Sequence, residues 1–189
     1  ISQHPGIEKT EMNETIILNK RFRESIPEEA ILKRIDEMAD QMNHDLSGRD
    51  VLFLGILNGA FMFASEIFKR LKIDARISFV KTSSYSGTSS SGTLSRLIGL
   101  NEDIRGENVI ILEDIVDSGY TLESIVHEII LRGAASIGIA TLLFKPEAYV
   151  KNFTLDYTGF RIPNDFVVGF GLDYDGYGRN LTSVYTLVP

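Results

Sequence analysis

The sequence predicts an α/β fold in which helices flank a mostly parallel central sheet. Short runs rich in Val, Ile and Leu at 51–57, 109–112 and 136–143 have the composition of strands that are buried on both faces. Apolar residues at helical spacing follow the first two runs. Because strands that alternate with helices form right-handed crossovers and lie parallel, ligands are expected at the carboxyl ends of these strands.

The chain before residue 82 is expected to contribute two helices and three strands. A short strand at 16–18 precedes a helix that ends near residue 43, and the Ser-Ile-Pro-Glu sequence at 25–28 has the spacing of a capping box. The strand at 51–57, a helix over 61–71 and a strand at 75–81 follow. The turn after the strand at 51–57 contains Leu57, Asn58 and Gly59, and its glycine allows the backbone to approach a ligand.

A serine- and glycine-rich tract occupies residues 82–95. Its composition is typical of a passive, mobile linker. Long loops inside compact domains are often functional, so the alternative is a lid that closes over a reacting site.

Three carboxylates crowd the end of the predicted strand at 109–112. Glu113 and Asp114 follow the strand directly, and Asp117 precedes a helix that begins near Tyr120 or Thr121. Carboxylates in such a position cost stability unless they are paired, solvated or bound to a cation. They therefore indicate a divalent metal or a substrate that develops positive charge.

Small residues connect these acids to the helix. Ser118, Gly119 and Thr121 present backbone N–H groups, hydroxyls and the positive end of the helix dipole, which suit a phosphate group. The alternative is an ordinary N-cap, made by Asp117 or Ser118, beside solvated acids at a sheet edge.

Helical periodicity stops after Phe144. Residues 144–180 combine aromatic residues, glycines and the acids Asp165, Asp173 and Asp175, which predicts a small hood of strands and loops rather than another strand–helix unit. The N-terminal segment is expected to complete this hood, and residues 183–188 to form a last strand. The length fits one domain, so the whole chain, 1–189, is predicted to be a single domain.

The composition disfavours several classes of protein. With 26 acidic against 19 basic residues the formal charge is −7, which argues against binding nucleic acid or an anionic membrane surface. The absence of cysteine excludes disulfides and thiolate metal sites, and no apolar run approaches the length of a membrane span. Residues 1–10 lack the charged-then-apolar order of a signal peptide, so we expect a cytoplasmic location.

The sequence Glu-Asp-Ile-Val-Asp-Ser-Gly-Tyr-Thr-Leu at 113–122 resembles the phosphoribosyl-diphosphate binding motif of type I phosphoribosyltransferases. The segment 166–180, with Lys145 at the family's spacing before it, is similar to the C-terminal motif of hypoxanthine-guanine phosphoribosyltransferases. With Leu-Asn-Gly at 57–59 and Ser-Tyr at 84–85, the resemblance covers the chain from about residue 16 onward. It implies the type I phosphoribosyltransferase fold.

The resemblance also implies a function. It is that of a purine salvage enzyme, dependent on Mg²⁺, which joins a 6-oxopurine such as hypoxanthine or guanine to phosphoribosyl diphosphate and releases diphosphate. Relatives are usually dimers or tetramers, so the resemblance implies a homo-oligomer whose other partners are small molecules.

The resemblance implies a role for each matching residue at the reacting centre. Asp117 would act as general acid or base near N7 of the purine. Glu113 and Asp114 would hold the ribose hydroxyls, directly or through Mg²⁺, and Asp173 would bind a second Mg²⁺ on the diphosphate. The 5′-phosphate would be held by four consecutive residues, Ser118, Gly119, Tyr120 and Thr121.

Further matching residues would surround the purine and the leaving group. Phe166 would stack on the purine, Val167 would offer backbone groups to its edge, and Lys145 would donate to O6. Arg179 would hold the departing diphosphate. Without the motif matches, the two apolar residues would be assigned to the core and the two cations to the surface. The remaining implied contacts lie in two loops, at Leu57, Asn58 and Gly59 and at Ser84 and Tyr85.

Two positions depart from the commonest family pattern. Asn58 stands where many members have lysine, and Tyr120 stands where lysine, arginine or asparagine is frequent. The family's diphosphate contact at the first position is largely through the backbone, which is held by a cis peptide after Leu57. Phosphate affinity is therefore the property that these departures affect most.

Three other functions are compatible with parts of the sequence. A phosphoribosyltransferase for adenine or another base is disfavoured by Lys145 and by segment 166–179. A regulator that senses phosphoribosyl diphosphate while binding RNA or DNA is disfavoured by the charge of −7. A phosphatase or phospho-acceptor domain would leave the serine-rich tract and the C-terminal aromatic residues unexplained.

Overall fold

A computed structural model describes residues 8–10, 13–84 and 95–189 of the chain. The described residues form eleven strands and three helices. In chain order these elements are β1 (Glu8–Thr10), β2 (Glu14–Ile17), β3 (Lys20–Ile26), α1 (Glu28–Asp45), β4 (Val51–Leu57), α2 (Phe61–Phe68), β5 (Ala75–Ser84), β6 (Ser95–Ile98), β7 (Asn108–Val116), α3 (Tyr120–Leu131), β8 (Ser136–Phe144), β9 (Tyr157–Arg161), β10 (Val167–Val168) and β11 (Val184–Leu187).

The central sheet has the strand order β6-β5-β4-β7-β8-β9. Strands β5, β4, β7, β8 and β9 are parallel, and β6 runs antiparallel to β5. This is the mostly parallel sheet that the apolar runs predict. Because β5 and β7 lie on opposite sides of β4, the strand order reverses beside β4, and the carboxyl ends of β4 and β7 border the crevice where ligands bind in such sheets.

Neighbouring side chains of β4 and of β7 point to opposite faces of the sheet, and both faces are covered by helices. Phe53 and Ile110 point into one cluster of buried side chains, with residues of α1 and α2. Leu54 and Ile111 point into a second cluster, with residues of α3. Successive side chains of a strand face opposite ways, so strands covered on both faces need a continuous apolar run. None of the described helices is long and apolar enough to cross a membrane.

A second, antiparallel sheet, the hood sheet, has the order β1-β2-β3-β11-β10. Strand β3 pairs with β11, so that Phe22 lies opposite Leu187 and an early strand is joined to the last strand of the chain. The hood was predicted to combine the N-terminal segment with a C-terminal segment, and this sheet does so. Strand β3 itself was not predicted, because four of its seven residues are charged and Phe22 is its one buried side chain.

The predicted extent of the hood, 144–180, needs correction at its start. Strand β9 lies within that range but pairs parallel with β8, with Ala140 opposite Tyr157, and is therefore the edge of the central sheet. The connection between β8 and β9 contains no helix. The loss of helical periodicity after Phe144 thus marked a change in the type of connection, while the chain returned to the same sheet.

The predicted capping box at the start of α1 is wrong. The Ser25 hydroxyl donates to the carbonyl of Val184 at 3.1 Å, because Ser25 lies in β3 beside β11. The N-cap residue of α1 is Pro27, which has no side-chain cap. The backbone N–H of Glu28 donates instead to the hydroxyl of Ser183 at 3.0 Å, so a residue 155 positions away satisfies the first turn of the helix.

Strands β5 and β7 extend several residues beyond their predicted carboxyl ends. Strand β7 continues to Val116, so Glu113 and Asp114 belong to the strand. Strand β5 continues to Ser84, which pairs with Ser95 of β6. Residues 85–94 lie outside the described residues, and with them lie Tyr85 and the prediction of a lid.

Candidate active site

Two adjacent acids stand at the carboxyl end of β7. Glu113 is buried, and burial raises the pKa of its carboxyl well above the ordinary value, with a further increase from neighbouring Asp114. Burial also raises the pKa of Asp114, and a hydrogen bond from the N–H of Ile115 to its Oδ1, at 2.8 Å, partly offsets that rise. Burial leaves the pair dependent on a positive or hydrogen-bonding partner.

The turn after β4 lies directly against these acids. The peptide between Leu57 and Asn58 is cis, as the family resemblance implied. A Cβ atom at Gly59 would overlap Oδ2 of Asp114, so this close approach requires glycine. The two loop motifs that the sequence singled out therefore meet, because β4 and β7 are neighbouring parallel strands.

Lys145 follows β8 and turns back toward the end of β7. Its backbone N–H donates to the carbonyl of Val116 at 2.9 Å, and its Nζ lies 3.2 Å from Oδ2 of Asp117. Lys145 is only 8% exposed, whereas the Asp117 side chain is half exposed. The assignment of Lys145 to the surface is thus wrong, and a buried cation and an accessible carboxylate stand side by side.

The phosphate cradle, which we define as residues 118–121, runs from the turn after β7 into the first two residues of α3. The N-cap residue of α3 is Gly119, with a φ of 89° and no side-chain cap. The alternative of an ordinary cap made by Asp117 or Ser118 is therefore wrong. The hydroxyl-bearing Thr121 and the ring of Tyr120 are exposed at the positive end of the helix dipole, where an anion is favoured.

The C-terminal segment brings Arg179 toward the same crevice. Its Nη2 lies 2.6 Å from Oδ1 of Asp173, and its Nη1 donates to the carbonyl of Gly171 at 2.7 Å. Gly171 packs on the backbone of Gly59, and the positive charge of Arg179 opposes the rise in the pKa of Asp114. These contacts connect the acids of β7, the turn after β4 and the predicted diphosphate-binding arginine.

Phe166 and Val167 differ in their surroundings. Val167 is buried and pairs with Thr186 of β11, so its side chain belongs to the core while its backbone lies in the hood sheet. Phe166 is 45% exposed, and its ring packs edge-to-face against Tyr174 with 6.0 Å between centroids. A partly exposed aromatic ring held by a neighbouring ring is compatible with a stacking role.

Sequence reasoning missed the residues that support Phe166 from the N-terminal side. The Nζ of Lys20 lies 4.6 Å from the ring centroid of Tyr174 and 5.8 Å from that of Phe166. The hydroxyl of Tyr174 donates to Oδ1 of Asn19 at 3.0 Å. Finding this support required β3 and its turn, and no local pattern in the sequence indicated that they reach the segment 166–174.

The acids fit one divalent cation better than a complete protein cage. Among the described residues, no three His, Cys, Asp or Glu side chains are grouped as a metal site. Glu113 and Asp114 supply adjacent carboxylates, which suit a hard cation that takes its remaining ligands from substrate and water. The Oδ1 of Asp173 is paired with Arg179, and its Oδ2 accepts from the N–H of Gly176 at 2.7 Å, so a cation at Asp173 would replace these partners.

Comparison with known proteins agrees with this geometry. A sequence profile of the phosphoribosyl transferase domain matches residues 24–175. A hypoxanthine-guanine phosphoribosyltransferase of Mycobacterium bovis is 41% identical over 168 residues, covering 85% of this chain and 83% of that protein. A hypoxanthine phosphoribosyltransferase of Escherichia coli is 40% identical over 159 residues, covering 82% of this chain and 89% of that protein.

Comparison of the fold with solved structures agrees with the sequence comparison. The crystal structure of a hypoxanthine phosphoribosyltransferase from Staphylococcus aureus superposes with a TM-score of 0.82 at 37% identity, covering 88% of this chain and 91% of that chain. The chain has the type I phosphoribosyltransferase fold and belongs to the hypoxanthine-guanine phosphoribosyltransferase family.

Proposed function

We propose that this chain joins a 6-oxopurine, hypoxanthine or guanine, to 5-phosphoribosyl 1-diphosphate in purine salvage, giving IMP or GMP and diphosphate. The observation that carries the proposal is the pair of Lys145 and Asp117, with 3.2 Å between Nζ and Oδ2. A 6-oxopurine presents the acceptor O6 beside the donor N7–H. The ammonium donates to the first and the carboxylate accepts from the second, so the pair complements this edge of the base.

The rest of the base site follows from the ring and the strand beside it. The exposed face of Phe166 offers a stacking surface for the purine. The backbone of Val167 lies next to that ring and offers an amide and a carbonyl to the opposite edge of the base. Backbone groups there can serve both hypoxanthine and guanine, since N2 of guanine needs an acceptor that a carbonyl supplies.

The reaction exchanges one bond at the anomeric carbon for another. N9 of the purine forms a bond to C1′ of the ribose while the bond from C1′ to the diphosphate oxygen breaks. The proton on N7 moves to the carboxylate of Asp117, which leaves the base neutral in the product. The ribose develops positive charge during this exchange, and the carboxylates of Glu113 and Asp114 hold its hydroxyls close to that charge.

The two phosphate ends of the substrate occupy different parts of the crevice. The phosphate cradle receives the 5′-phosphate through its N–H groups and hydroxyls. Arg179 and the backbone at Asn58 and Gly59 receive the diphosphate, which departs as the new bond forms. Asn58 carries no charge, so of these protein groups only the guanidinium of Arg179 brings positive charge to the diphosphate.

We also propose Mg²⁺ as cofactor, held by Glu113 and Asp114. The support is chemical, since these adjacent carboxylates face a substrate rich in anionic oxygens. Bound Mg²⁺ would neutralise negative charge on the diphosphate and hold the ribose oxygens. Transfer should stop in EDTA and return when Mg²⁺ is added in excess, while full activity in the chelator would exclude the cofactor.

Product analysis tests the proposed transfer. The purified chain is incubated with Mg²⁺, phosphoribosyl diphosphate and hypoxanthine, and the nucleotide is identified by mass spectrometry. We expect IMP and diphosphate in equal amounts. A chain that binds phosphoribosyl diphosphate without forming IMP would favour the regulator that the sequence left open, and a chain that hydrolyses phosphate esters would favour the phosphatase.

The proposal extends to the cellular location and the oligomeric state of the protein. We propose a cytoplasmic homo-oligomer, a dimer or tetramer, whose other partners are small molecules. The support is the absence of cysteine, the charge of −7, and exposed apolar side chains such as Phe61 and Leu131. Light scattering coupled to gel filtration measures the assembly directly, and a monomer at micromolar concentration would contradict the proposal.

A further inference from the structure

The phosphate cradle contains hydroxyls and backbone N–H groups but neither lysine nor arginine. A phosphate monoester carries nearly two negative charges at neutral pH, and hydrogen bonds from a cation to such a group are stronger than those from neutral donors. A cation from elsewhere in the chain lies against the cradle. It is Lys151, in the connection between β8 and β9.

The stem of Lys151 packs on the backbone of the cradle. At Gly119 a Cβ atom would stand 2.8 Å from Cγ of Lys151 and would also meet the ring of Tyr149. The N–H of Val150 donates to the carbonyl of Ser118 at 3.2 Å. Glycine at position 119, already required by its positive φ, therefore lets the connection lie directly on the cradle with Lys151 as its cationic side chain.

Two contacts hold the ammonium beside the first turn of α3. The Nζ of Lys151 lies 2.7 Å from Oε2 of Glu123 and 4.1 Å from the ring centroid of Tyr120. The Lys151 side chain is 18% exposed, so it stays close to the protein surface instead of extending into solvent. One of the two partners is a carboxylate, which a phosphate dianion can replace. The other is an aromatic face, which attracts the ammonium both before and after the phosphate binds.

We propose that Lys151 binds the 5′-phosphate of the substrate and of the nucleotide product, and that Glu123 holds the ammonium in place until the phosphate arrives. The proposal rests on the proposed transferase function, since it concerns the phosphate end of the same site. The bonds beyond Cγ of Lys151 rotate while its stem remains packed on Gly119. The ammonium can therefore exchange a carboxylate oxygen for a phosphate oxygen without movement of the backbone.

Calorimetric binding of IMP and of inosine, which differ only in the phosphate, tests this role on the intact enzyme. Lys151→Met should raise the Kd for IMP roughly tenfold or more, because a charge-assisted hydrogen bond is lost, and should leave the Kd for inosine unchanged. Lys151→Arg should restore most of the affinity for IMP. Lys69→Met is the matched control, since Lys69 also forms a 2.7 Å pair with a glutamate, Glu66, on α2.

Kinetics and a second variant complete the test. Lys151→Met should raise the KM for phosphoribosyl diphosphate and leave kcat and the KM for hypoxanthine within about threefold of wild type. Glu123→Gln should tighten IMP binding, because the ammonium loses its competing carboxylate. An unchanged Kd for IMP in Lys151→Met, or an equal loss of IMP and inosine, would overturn the proposal. A wild-type chain that forms no IMP would instead overturn the transferase function, so the two failures are distinct.

Discussion

The ammonium of Lys145 and the carboxylate of Asp117 join the ends of β8 and β7, with 3.2 Å between Nζ and Oδ2. The lysine is buried and the aspartate is half exposed, so a cationic donor and an anionic acceptor stand side by side at the ends of these strands. In the proposed mechanism the pair divides two tasks between neighbouring side chains. Lys145 would select the base, and Asp117 would accept its proton.

Asp117→Ala tests the proton-transfer role. We expect kcat to fall roughly 10²–10⁴-fold, the range for a positioned acid–base group, with the fold retained. The control is Asp40→Ala, which removes an exposed acid from α1. Steady-state kinetics and circular dichroism provide the measurements, and turnover within tenfold of wild type would remove Asp117 from the mechanism.

Lys145→Ala tests base selection. A lysine ammonium only donates, so in the wild type it meets O6 of hypoxanthine or guanine but faces the amino group of adenine donor to donor, which should exclude adenine by roughly 10⁴–10⁵. The variant should lose efficiency with hypoxanthine while its KM for phosphoribosyl diphosphate changes little. If it kept both the rate and the exclusion of adenine, backbone groups near Val167 would be responsible for selection.

Ser183→Ala tests the contact that replaces the predicted capping box. The hydroxyl of Ser183 accepts from the N–H of Glu28, so its removal should lower the free energy of unfolding by about 0.5–2 kcal/mol, as for other helix caps. Thr182→Ala is the neighbouring control, because Thr182 is exposed. Urea denaturation compares the two variants, and equal effects would show that the hydroxyl of Ser183 does not cap α1.

The parts of the fold that were predicted depend on local patterns. Strand β4 was assigned with its observed bounds because an uninterrupted apolar run indicates a strand covered on both faces. The acids of β7 and the glycine after β4 were assigned to one site because parallel strands bring their carboxyl ends together. Lys145 was placed by resemblance, and its burial could not be derived from its charge.

The parts that were missed depend on contacts between distant residues. Strand β3 is stabilised by pairing with β11, about 160 positions away, and its charged residues conceal a single buried side chain, Phe22. Lys20 and Lys151 resemble surface lysines until the structure shows the rings and backbone on which they pack. The serine at 25 fits a capping box locally, but strand pairing determines where its hydroxyl points.

Tyr157 gives the protein a pH-dependent stability under alkaline conditions. Burial, the neighbouring Asp45 and Asp156, and a hydrogen bond to Asp45 raise the pKa of its hydroxyl to about 12. Between the ordinary tyrosine pKa of about 10 and that value, the unfolded chain loses the proton while the folded chain keeps it, so stability falls as pH rises. The contribution of the protonated Tyr157 hydroxyl to stability is therefore fully present below a pH of about 10.

Thermal denaturation between pH 9 and 12 measures this effect, a range set by the same pKa values of about 10 and 12. The decrease in Tm should be shallower in Tyr157→Phe than in wild type, and Tyr177→Phe, which alters an exposed tyrosine, should follow the wild type. Identical slopes in wild type and Tyr157→Phe would show that other groups cause the alkaline loss of stability.

Diphosphate release tests the central claim most directly, with phosphoribosyl diphosphate and Mg²⁺ held constant and hypoxanthine, guanine, xanthine and adenine supplied in turn. The complementarity of Lys145 and Asp117 to the O6 and N7–H edge predicts rapid release with hypoxanthine, activity with guanine, and essentially none with adenine. Release with adenine at a rate comparable to that with hypoxanthine would contradict the account.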